Sequence, residues 1–249
     1  MSISDCQATS GTFYYDGTSV YVHPYNSDIT NITFKYLHDE SDFNFIKITN
    51  TNDFYIEGVD IYFGTGVLLS STNCFGNNII RDCDFGFGAY QTHEVPITTN
   101  ENVYNCNSFC ACADGFGPTV AGTANYYNCY GGYNGDDGIS HHDNCIGVVD
   151  GGIWEHNGKG GVSPAHHSNV NVMNVYSAYN NYGLYLQSDP GHECNAKSLI
   201  KNCTFVNNTN KDIRVYHYNA IITGCIYSTK EFMGAGWTVE EIGNTVLNS

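Results

Sequence analysis

The sequence is poor in charge, and what charge it has is mostly of one sign. Of its 249 residues 14% are charged, with 9 Lys and Arg against 25 Asp and Glu, which gives a formal net charge of −16. An average globular domain has about 25% charged residues. Because so acidic a chain repels phosphate groups, we expect neither nucleic acid nor an anionic membrane as a partner.

Long apolar runs, strong helix formers and proline are also scarce. No run of 18 apolar residues occurs, and residues 1–15 are polar and aromatic, so the sequence predicts neither a membrane span nor a retained signal peptide. Proline occurs 5 times, whereas there are 27 Gly, 20 Tyr, 13 Phe and 30 Asn. Such a composition is typical of short strands joined by turns. It predicts an all-β fold.

A spacing of 22 to 24 residues recurs along the chain, most clearly in short apolar phrases that end on Cys. The equivalent positions are Val59, Cys83, Cys106, Cys129, Gly152, Val175, Cys203 and Cys225. A repeat of this length is typical of a solenoid in which stacked units share one continuous core. The sequence therefore predicts a single-stranded parallel β-helix of about eight or nine turns.

The repeat also divides the chain into three predicted parts. Residues 1–27 are expected to form a lead-in or cap over the first turn, and residues 28–227 the β-helix. Residues 228–249 depart from the repeat and are expected to form a closing cap, for which a short helix is one interpretation.

The 11 cysteines are odd in number, and five of them are aligned by the repeat. We predict that the aligned thiols are small buried apolar residues, stacked one above another. Disulfides between adjacent turns are the alternative, because aligned Cα atoms lie about 4.8 Å apart. Free thiols favour folding in a reducing compartment.

Histidine and aspartate concentrate in the turns between residues 134 and 189. Aligning Gly152 with Val175 places Asp143 beside His166, at about the 4.8 Å spacing of neighbouring strands. The catalytic candidates are Asp137, His142, Asp143 and His166. The candidates for substrate binding are Asp136, His141, Lys159, His167, Tyr185 and Gln187.

A carboxylate beside an imidazole can act as a general base or hold a divalent metal. A base of this kind removes the proton next to the carboxylate of an acidic sugar while a second group protonates the leaving oxygen. Two alternatives remain open: the patch binds sugar without chemistry, or its residues only cap turns. Because cations are so few, calcium is the candidate to bridge a substrate carboxylate, with no ligand set indicated.

Aromatic residues flank the same turns and offer a second way to recognise sugar, by stacking on its faces. They are Tyr130, Tyr133, Trp154, Tyr176, Tyr179 and Tyr182, several of which are expected to pack in turns or in the core instead.

Three phrases carry a family resemblance: GTFYYDGTSVYVH at 11–23, DGISHH at 137–142 and VSPAHH at 162–167. Together with the repeat, they resemble the right-handed parallel β-helices of the pectin-lyase-like superfamily, and within it the β-helical proteins of phage and prophage tails. Polygalacturonases of that superfamily follow an Asp-Asp pair with Gly-His-Gly. Here Asp136-Asp137 is followed by His156-Asn157-Gly158-Lys159-Gly160, so their mechanism is not implied.

The resemblance implies a lyase or hydrolase that degrades polysaccharide, or a glycan-recognising phage tail-type protein, on bacterial surface or acidic polysaccharide. A non-catalytic adhesin, a receptor-binding module or a structural trimeric spacer is the alternative. It further implies a polysaccharide partner, a homotrimer, and a virion or extracellular location reached after folding in a reducing cytoplasm.

Overall fold

The computed structural model describes residues 12–15, 20–23, 32–34, 44–51, 53–64, 66–97, 99–119, 122–188 and 197–248. Within these ranges the chain is all-β and forms a right-handed parallel β-solenoid of about eight turns, which confirms the predicted fold class. Nowhere in this part of the chain is there a helix that could cross a membrane.

Each turn of the solenoid contributes one strand to each of three sheets. The first sheet holds β3 (Ile32–Phe34), β4 (Asn44–Thr49), β7 (Val67–Thr72), β10 (His93–Ile97), β13 (Phe116–Pro118), β16 (Ile139–His141), β19 (Gly160–Pro164), β22 (Tyr182–Gln187), β25 (Lys211–Tyr216) and β28 (Lys230–Met233). From β4 onward its strands are parallel.

The second and third sheets have nine strands each. The second holds β5 (Tyr55–Glu57), β8 (Asn78–Arg81), β11 (Asn100–Tyr104), β14 (Thr123–Tyr127), β17 (Ile146–Asp150), β20 (Asn169–Met173), β23 (Lys197–Lys201), β26 (Asn219–Thr223) and β29 (Val239–Ile242). The third holds β6 (Asp60–Gly64), β9 (Asp84–Gly88), β12 (Asn107–Phe109), β15 (Tyr130–Gly132), β18 (Ile153–Glu155), β21 (Tyr176–Ala178), β24 (Thr204–Val206), β27 (Ile226–Tyr227) and β30 (Thr245–Val246).

The core consists of columns of inward side chains, one residue from each turn. One column of the second sheet contains Ile80, Val103, Tyr126, Val149, Val172, Ile200 and Ile222, all fully buried. Five cysteines form another column at the corner between the second and third sheets, as predicted: Cys83, Cys106, Cys129, Cys203 and Cys225. All nine cysteines in the described ranges are free thiols.

The residue before each column cysteine makes that corner possible. Asp82, Asn105, Asn128 and Asn202 have φ between 51° and 55°, and Gly224 has φ 63°. Asn, Asp and Gly adopt this left-handed conformation at least cost. The repeated phrases that end in Asn-Cys or Asp-Cys therefore encode a sharp corner followed by an inward side chain.

A column of buried asparagines closes the corner between the third and first sheets. Asn134 donates its backbone N–H and its amide N–H to Asn157 Oδ1 at 3.1 and 3.0 Å, and Asn157 donates in the same way to Asn180 Oδ1 at 2.9 and 3.0 Å. Asn180 continues the series to Asn208. Each amide satisfies a buried donor in the turn below it, so the turns are held in register.

The two ends of the chain differ from the regular turns. Strands β1 (Thr12–Tyr15) and β2 (Val20–His23) pair antiparallel, and β3 is antiparallel to β4. The rest of the segment 1–27 lies outside the described residues, so its role as a cap stays a prediction. At the other end β28, β29 and β30 add one more rung to the three sheets. The interpretation of 228–249 as a short helix is therefore wrong for its described residues.

The asparagine column generates a prediction about stability. Asn157→Ala removes two accepted and two donated hydrogen bonds at a buried site, so we expect the free energy of unfolding to fall by about 2–4 kcal/mol. Asn125→Ala is the control, since this amide donates one bond on the half-buried outer face of the second sheet; its expected effect is within about 0.5 kcal/mol. Urea unfolding measures both. Equal losses would contradict the role of the column.

Candidate functional site

The candidate site lies on the outer face of the first sheet, where β16, β19 and β22 are neighbours. The register predicted from the repeat is confirmed: Ile139 pairs with Val162, which pairs with Leu184, and Ser140 pairs with Ser163. Ala165 forms a bridge with Gln187. The side chains of residues 136–142 and 159–166 therefore lie on adjacent turns.

The two buried carboxylates of the site belong to one row, which runs up the start of the first-sheet strands. Gln91 donates its amide N–H to Asp114 Oδ2 at 3.1 Å. Asp114 Oδ1 accepts the backbone N–H of Asp137 at 3.1 Å, and Asp137 Oδ1 accepts that of Gly160 at 2.6 Å. Each carboxylate therefore holds the turn that follows it. This is a structural role for both residues.

Burial dominates the electrostatics of this row. Asp137 is 1% exposed, and burial raises its pKa to about 7, although the hydroxyl of Ser163 donates to Oδ1 at 2.8 Å. Burial also raises the pKa of Asp114 to about 6. Near neutral pH Asp137 is therefore present in both protonation states. A carboxyl group of this kind can donate a proton, as a general acid must.

Lys159 connects this row to the surface. Its ammonium lies 3.6 Å from Asp137 Oδ2 and 3.6 Å from Asp136 Oδ2, and 5.7 Å from the ring centre of Tyr185. Asp136 is half-exposed, unlike its neighbour. The sequence pair Asp136-Asp137 thus supplies one buried and one accessible carboxyl group, with a cation beside both.

His142 lies beside the carboxylates and is held by a neighbouring hydroxyl. Its Nε2 shares a 2.6 Å hydrogen bond with Ser140 Oγ, which also donates to the carbonyl of Ser163 at 3.2 Å. Burial lowers the pKa of His142 to about 4, and the electrostatic interaction with nearby His166 lowers it further. At neutral pH His142 is an uncharged imidazole, which can accept a proton.

His166 and Asp143 form a second, more exposed pair. The Nδ1 atom of His166 lies 3.2 Å from Asp143 Oδ1, and its ring centre is 5.5 Å from that of His142. The backbone N–H of His166 donates to the carbonyl of Gln187 at 2.8 Å, which places Gln187 at the edge of the site. His167, the next residue, is half-buried.

Besides Asp137, three predicted residues are buried: His141, Trp154 and Tyr182. His141 is fully buried, donates its Nε2–H to the carbonyl of Ala124 at 3.1 Å, and packs against the ring of Tyr126. Strand alternation explains this, because the inward Ile139 makes residue 141 inward too. Trp154 is likewise in the core. These positions correct the prediction that His141 binds substrate, and they assign Trp154 and Tyr182 to the packing that was expected of several of the aromatic residues.

The structure also adds two residues that the sequence interpretation missed. Asp114 precedes Asp137 by the same 23 residues that define the repeat, so the repeat could have found it. Arg214 pairs with Tyr185, and its guanidinium lies 5.1 and 5.2 Å from the rings of Tyr182 and Tyr185. Val175 and Cys203 are 28 residues apart, so a 23-residue step from Tyr185 does not reach Arg214.

The carboxylates of Asp114, Asp136 and Asp137 offer oxygen atoms within 4.8 Å of one another, which makes them the metal candidates among the described residues. Calcium takes six to eight oxygen ligands. Asp114 and Asp137 each have one oxygen committed to backbone N–H groups, and the Lys159 ammonium lies beside Asp136 and Asp137. The residues fit a cluster neutralised by lysine better than a calcium site.

Comparisons with known proteins support the fold alone. No family model matches the sequence, and no curated protein matches it significantly. Among solved structures, the A-module of the mannuronan C-5 epimerase AlgE6 from Azotobacter vinelandii superposes with a TM-score of 0.57 at 13% identity, over 80% of this chain and 65% of that module. The A-module of AlgE4 from the same organism gives a TM-score of 0.34 at 9% identity, over 82% and 79%. This chain thus spans about 65% of the length of the AlgE6 module.

The raised pKa of Asp137 generates a prediction about pH. The folded value of about 7 lies above the ordinary value of 3.8, so the stability that this group contributes is complete below pH 3.8 and is lost as pH rises through 7. Asp137→Asn removes this loss. We expect the difference in melting temperature between Asp137→Asn and the wild type to shift in favour of the variant from pH 4.5 to pH 8. Each kcal/mol of stability that the wild type loses over this range should change the difference by about 2–4 °C.

The exposed carboxylate of Asp60 offers the matched control, because Asp60→Asn should give the same difference at both pH values. Differential scanning calorimetry measures the four melting temperatures. A difference for Asp137→Asn that does not change with pH would show that the buried carboxyl group titrates normally.

Proposed function

We propose that this is a carbohydrate-active protein that hydrolyses an acidic polysaccharide on the outer face of the first sheet. The observation that carries the proposal is the contrast between Asp137 and Asp136: adjacent carboxyl groups, one buried with a raised pKa and one half-exposed, share one lysine. Pairs of carboxyl groups with different environments divide the acid and base roles of glycoside hydrolysis.

In this proposal the Lys159 ammonium, which is partly exposed, gives a proton to the glycosidic oxygen as the bond to the sugar carbon breaks, and it takes the proton of the buried Asp137 in exchange. The carboxylate that remains on Asp137 is stabilised by the Lys159 ammonium at 3.6 Å and by the donors Gly160 N–H and Ser163 Oγ–H. The accessible carboxylate of Asp136 then takes the proton of the attacking water. No step needs a metal ion.

Two cations near the cluster support an anionic substrate. Lys159 and Arg214 lie on either side of the Tyr185 ring, at 5.7 and 5.2 Å from its centre. The chain has a net charge of −16, so a carboxylate on the substrate would be repelled least beside these two cations, each of which is also paired with a carboxylate: Lys159 with Asp136 and Asp137, and Arg214 with Glu231 at 3.1 Å. The AlgE6 module, by its name, acts on mannuronan, which is consistent with a polysaccharide partner.

A second candidate reaction is elimination, and the observation that favours it is the neutral state of His142. An imidazole with a pKa of about 4, held by Ser140, can remove the proton next to a sugar carboxylate. The two reactions leave different products: elimination leaves an unsaturated end that absorbs near 235 nm, whereas hydrolysis leaves only a reducing end.

The reaction is tested on a panel of bacterial capsular and uronic-acid polysaccharides, with reducing ends and absorbance near 235 nm measured together. We expect reducing ends without absorbance, a rate that falls as pH rises through 7, and a loss of about 10²-fold or more in Asp137→Asn and Asp136→Asn. His142→Ala should change hydrolysis little, and Asp150→Asn, on the outer face of the second sheet, should not change it.

The other outcomes identify the alternatives. Absorbance that is lost in His142→Ala would indicate a lyase. Binding of a polysaccharide without either product would indicate an adhesin or receptor-binding module and would contradict the proposal.

We further propose a phage tail setting, with a virion or extracellular location and a homotrimeric assembly. The support for it is the resemblance of the phrases at 11–23, 137–142 and 162–167 to β-helical tail proteins. Light scattering after size-exclusion chromatography should give three times the chain mass of 27.4 kDa. A monomer at micromolar concentration would contradict the trimer, and would leave the proposed reaction unaffected.

A further inference from the structure

A column of residues follows the corner between the third and first sheets, one from each turn, and all but the half-buried Cys110 are exposed. Its members are Phe63, Phe87, Cys110, Tyr133, His156, Tyr179 and Asn207. All have φ between 57° and 64°, a conformation that is unusual for bulky side chains and costs about 1–2 kcal/mol for each residue. The shared backbone conformation directs all seven side chains outward in the same way.

The rings of this column stack face to face. The ring centres of Phe63 and Phe87 are 4.8 Å apart with 10° between their planes. Tyr133 and His156 are 4.8 Å apart at 7°, and His156 and Tyr179 are 5.0 Å apart at 9°. These distances match the spacing of neighbouring strands, about 4.8 Å. Each ring therefore lies directly over the ring of the turn below it.

Cys110 interrupts the stack. Phe87 and Tyr133 lie two turns apart, so about 9.6 Å separates their ring centres at the strand spacing. Both rings are well exposed, at 45% and 57%. The ring of Phe109 does not close the gap, because it leans over Gly86 in the turn below and meets Phe87 edge-on at 5.7 Å. Cys110, which is half-buried, forms the base of the gap.

We propose that this gap is a binding slot for one pyranose ring, with Phe87 and Tyr133 on its two faces. A ring at the middle of the slot would lie about 4.8 Å from each wall, within the range of favourable ring stacking. The C–H groups on both faces of a pyranose make it thick enough to contact both walls, while its hydroxyl groups point to solvent. The choice of a saccharide rests on the proposed function; the slot itself does not.

The slot belongs to the same turns as the carboxylate cluster. Cys110 precedes Asp114 by four residues, and Tyr133 precedes Asp136 by three. A saccharide chain anchored in the slot therefore starts at the corner that leads to the cluster. In the slot the saccharide would contact aromatic rings, so its binding there needs no charged group on the sugar.

The test uses tetragalacturonate and cellotetraose as acidic and neutral probes, with benzoate as a flat aromatic probe. Calorimetry and saturation-transfer NMR should show that a saccharide binds the wild type. Cys110→Tyr inserts the missing ring, so the saccharide affinity should fall by about tenfold or more. Asn207→Tyr adds a ring at the end of the same column, at the same φ, and should leave the affinity unchanged.

Removing one wall tests the slot without filling it. Phe87→Ala should lower the affinity by about tenfold, whereas Phe75→Ala, which removes a similarly exposed ring outside this column, should not. This pair decides the question if Cys110→Tyr does not fold. Bound saccharide should also slow alkylation of Cys110 by N-ethylmaleimide, with the exposed Cys112 as an internal control.

The slot is overturned if neither saccharide binds the wild type at about 10 mM, a concentration that would detect even very weak binding to a single site. It is also overturned if Cys110→Tyr and Phe87→Ala bind like the wild type, or if benzoate binds in preference to both saccharides. Asp137→Asn separates this inference from the proposed reaction. If the slot is correct and the reaction is not, Asp137→Asn binds and cleaves as the wild type does. If only the reaction is correct, Asp137→Asn loses cleavage while the slot variants bind normally.

Discussion

The stacking of each turn on the next, in register, is the constraint on which the rest of the structure depends. Every outward or inward residue lies about 4.8 Å from the residue one repeat away. The same residue type can therefore recur at one position only if its side chain packs against, or bonds to, a copy of itself in the next turn. Two like charges at that distance repel, whereas an asparagine amide is both donor and acceptor. The composition follows: 30 Asn and 11 Cys, with only 14% charged residues. The buried series Asn134, Asn157 and Asn180 shows the rule at its most regular.

The carboxylate cluster departs from this rule. Asp114 and Asp137 are neighbours in one row and both are buried, an arrangement that a purely structural row avoids. Each is tolerated because it accepts the backbone N–H of the following turn, and Lys159 supplies a charge of opposite sign. The remaining cost appears as raised pKa values, which are also what an acid catalyst at neutral pH needs. Backbone support and proposed chemistry thus use different oxygen atoms of Asp137.

The repeat made the fold and the register predictable, because one aligned pair, Gly152 and Val175, determines every other neighbour within regular turns. It also placed Asp136, Asp137, His142 and His166 together. It failed where the period changes: the 28 residues between Val175 and Cys203 hide the pairing of Tyr185 with Arg214. The burial of His141 followed from strand alternation. The raised pKa of Asp137 could not be predicted, because it depends on how deeply the strand start is covered.

Both proposed sites are places where a row of the solenoid changes its residue type. In one row Gln91 and Gly160 flank two aspartates, and in the other a stack of rings is broken by Cys110. A row of identical residues satisfies itself, since each member takes its partner from the next turn, and little remains for a ligand. A change of residue type leaves a carboxyl oxygen or a ring face without a partner of its own kind. In a β-solenoid, the residues most able to bind are therefore those that interrupt a row, and the repeat itself is the means of finding them.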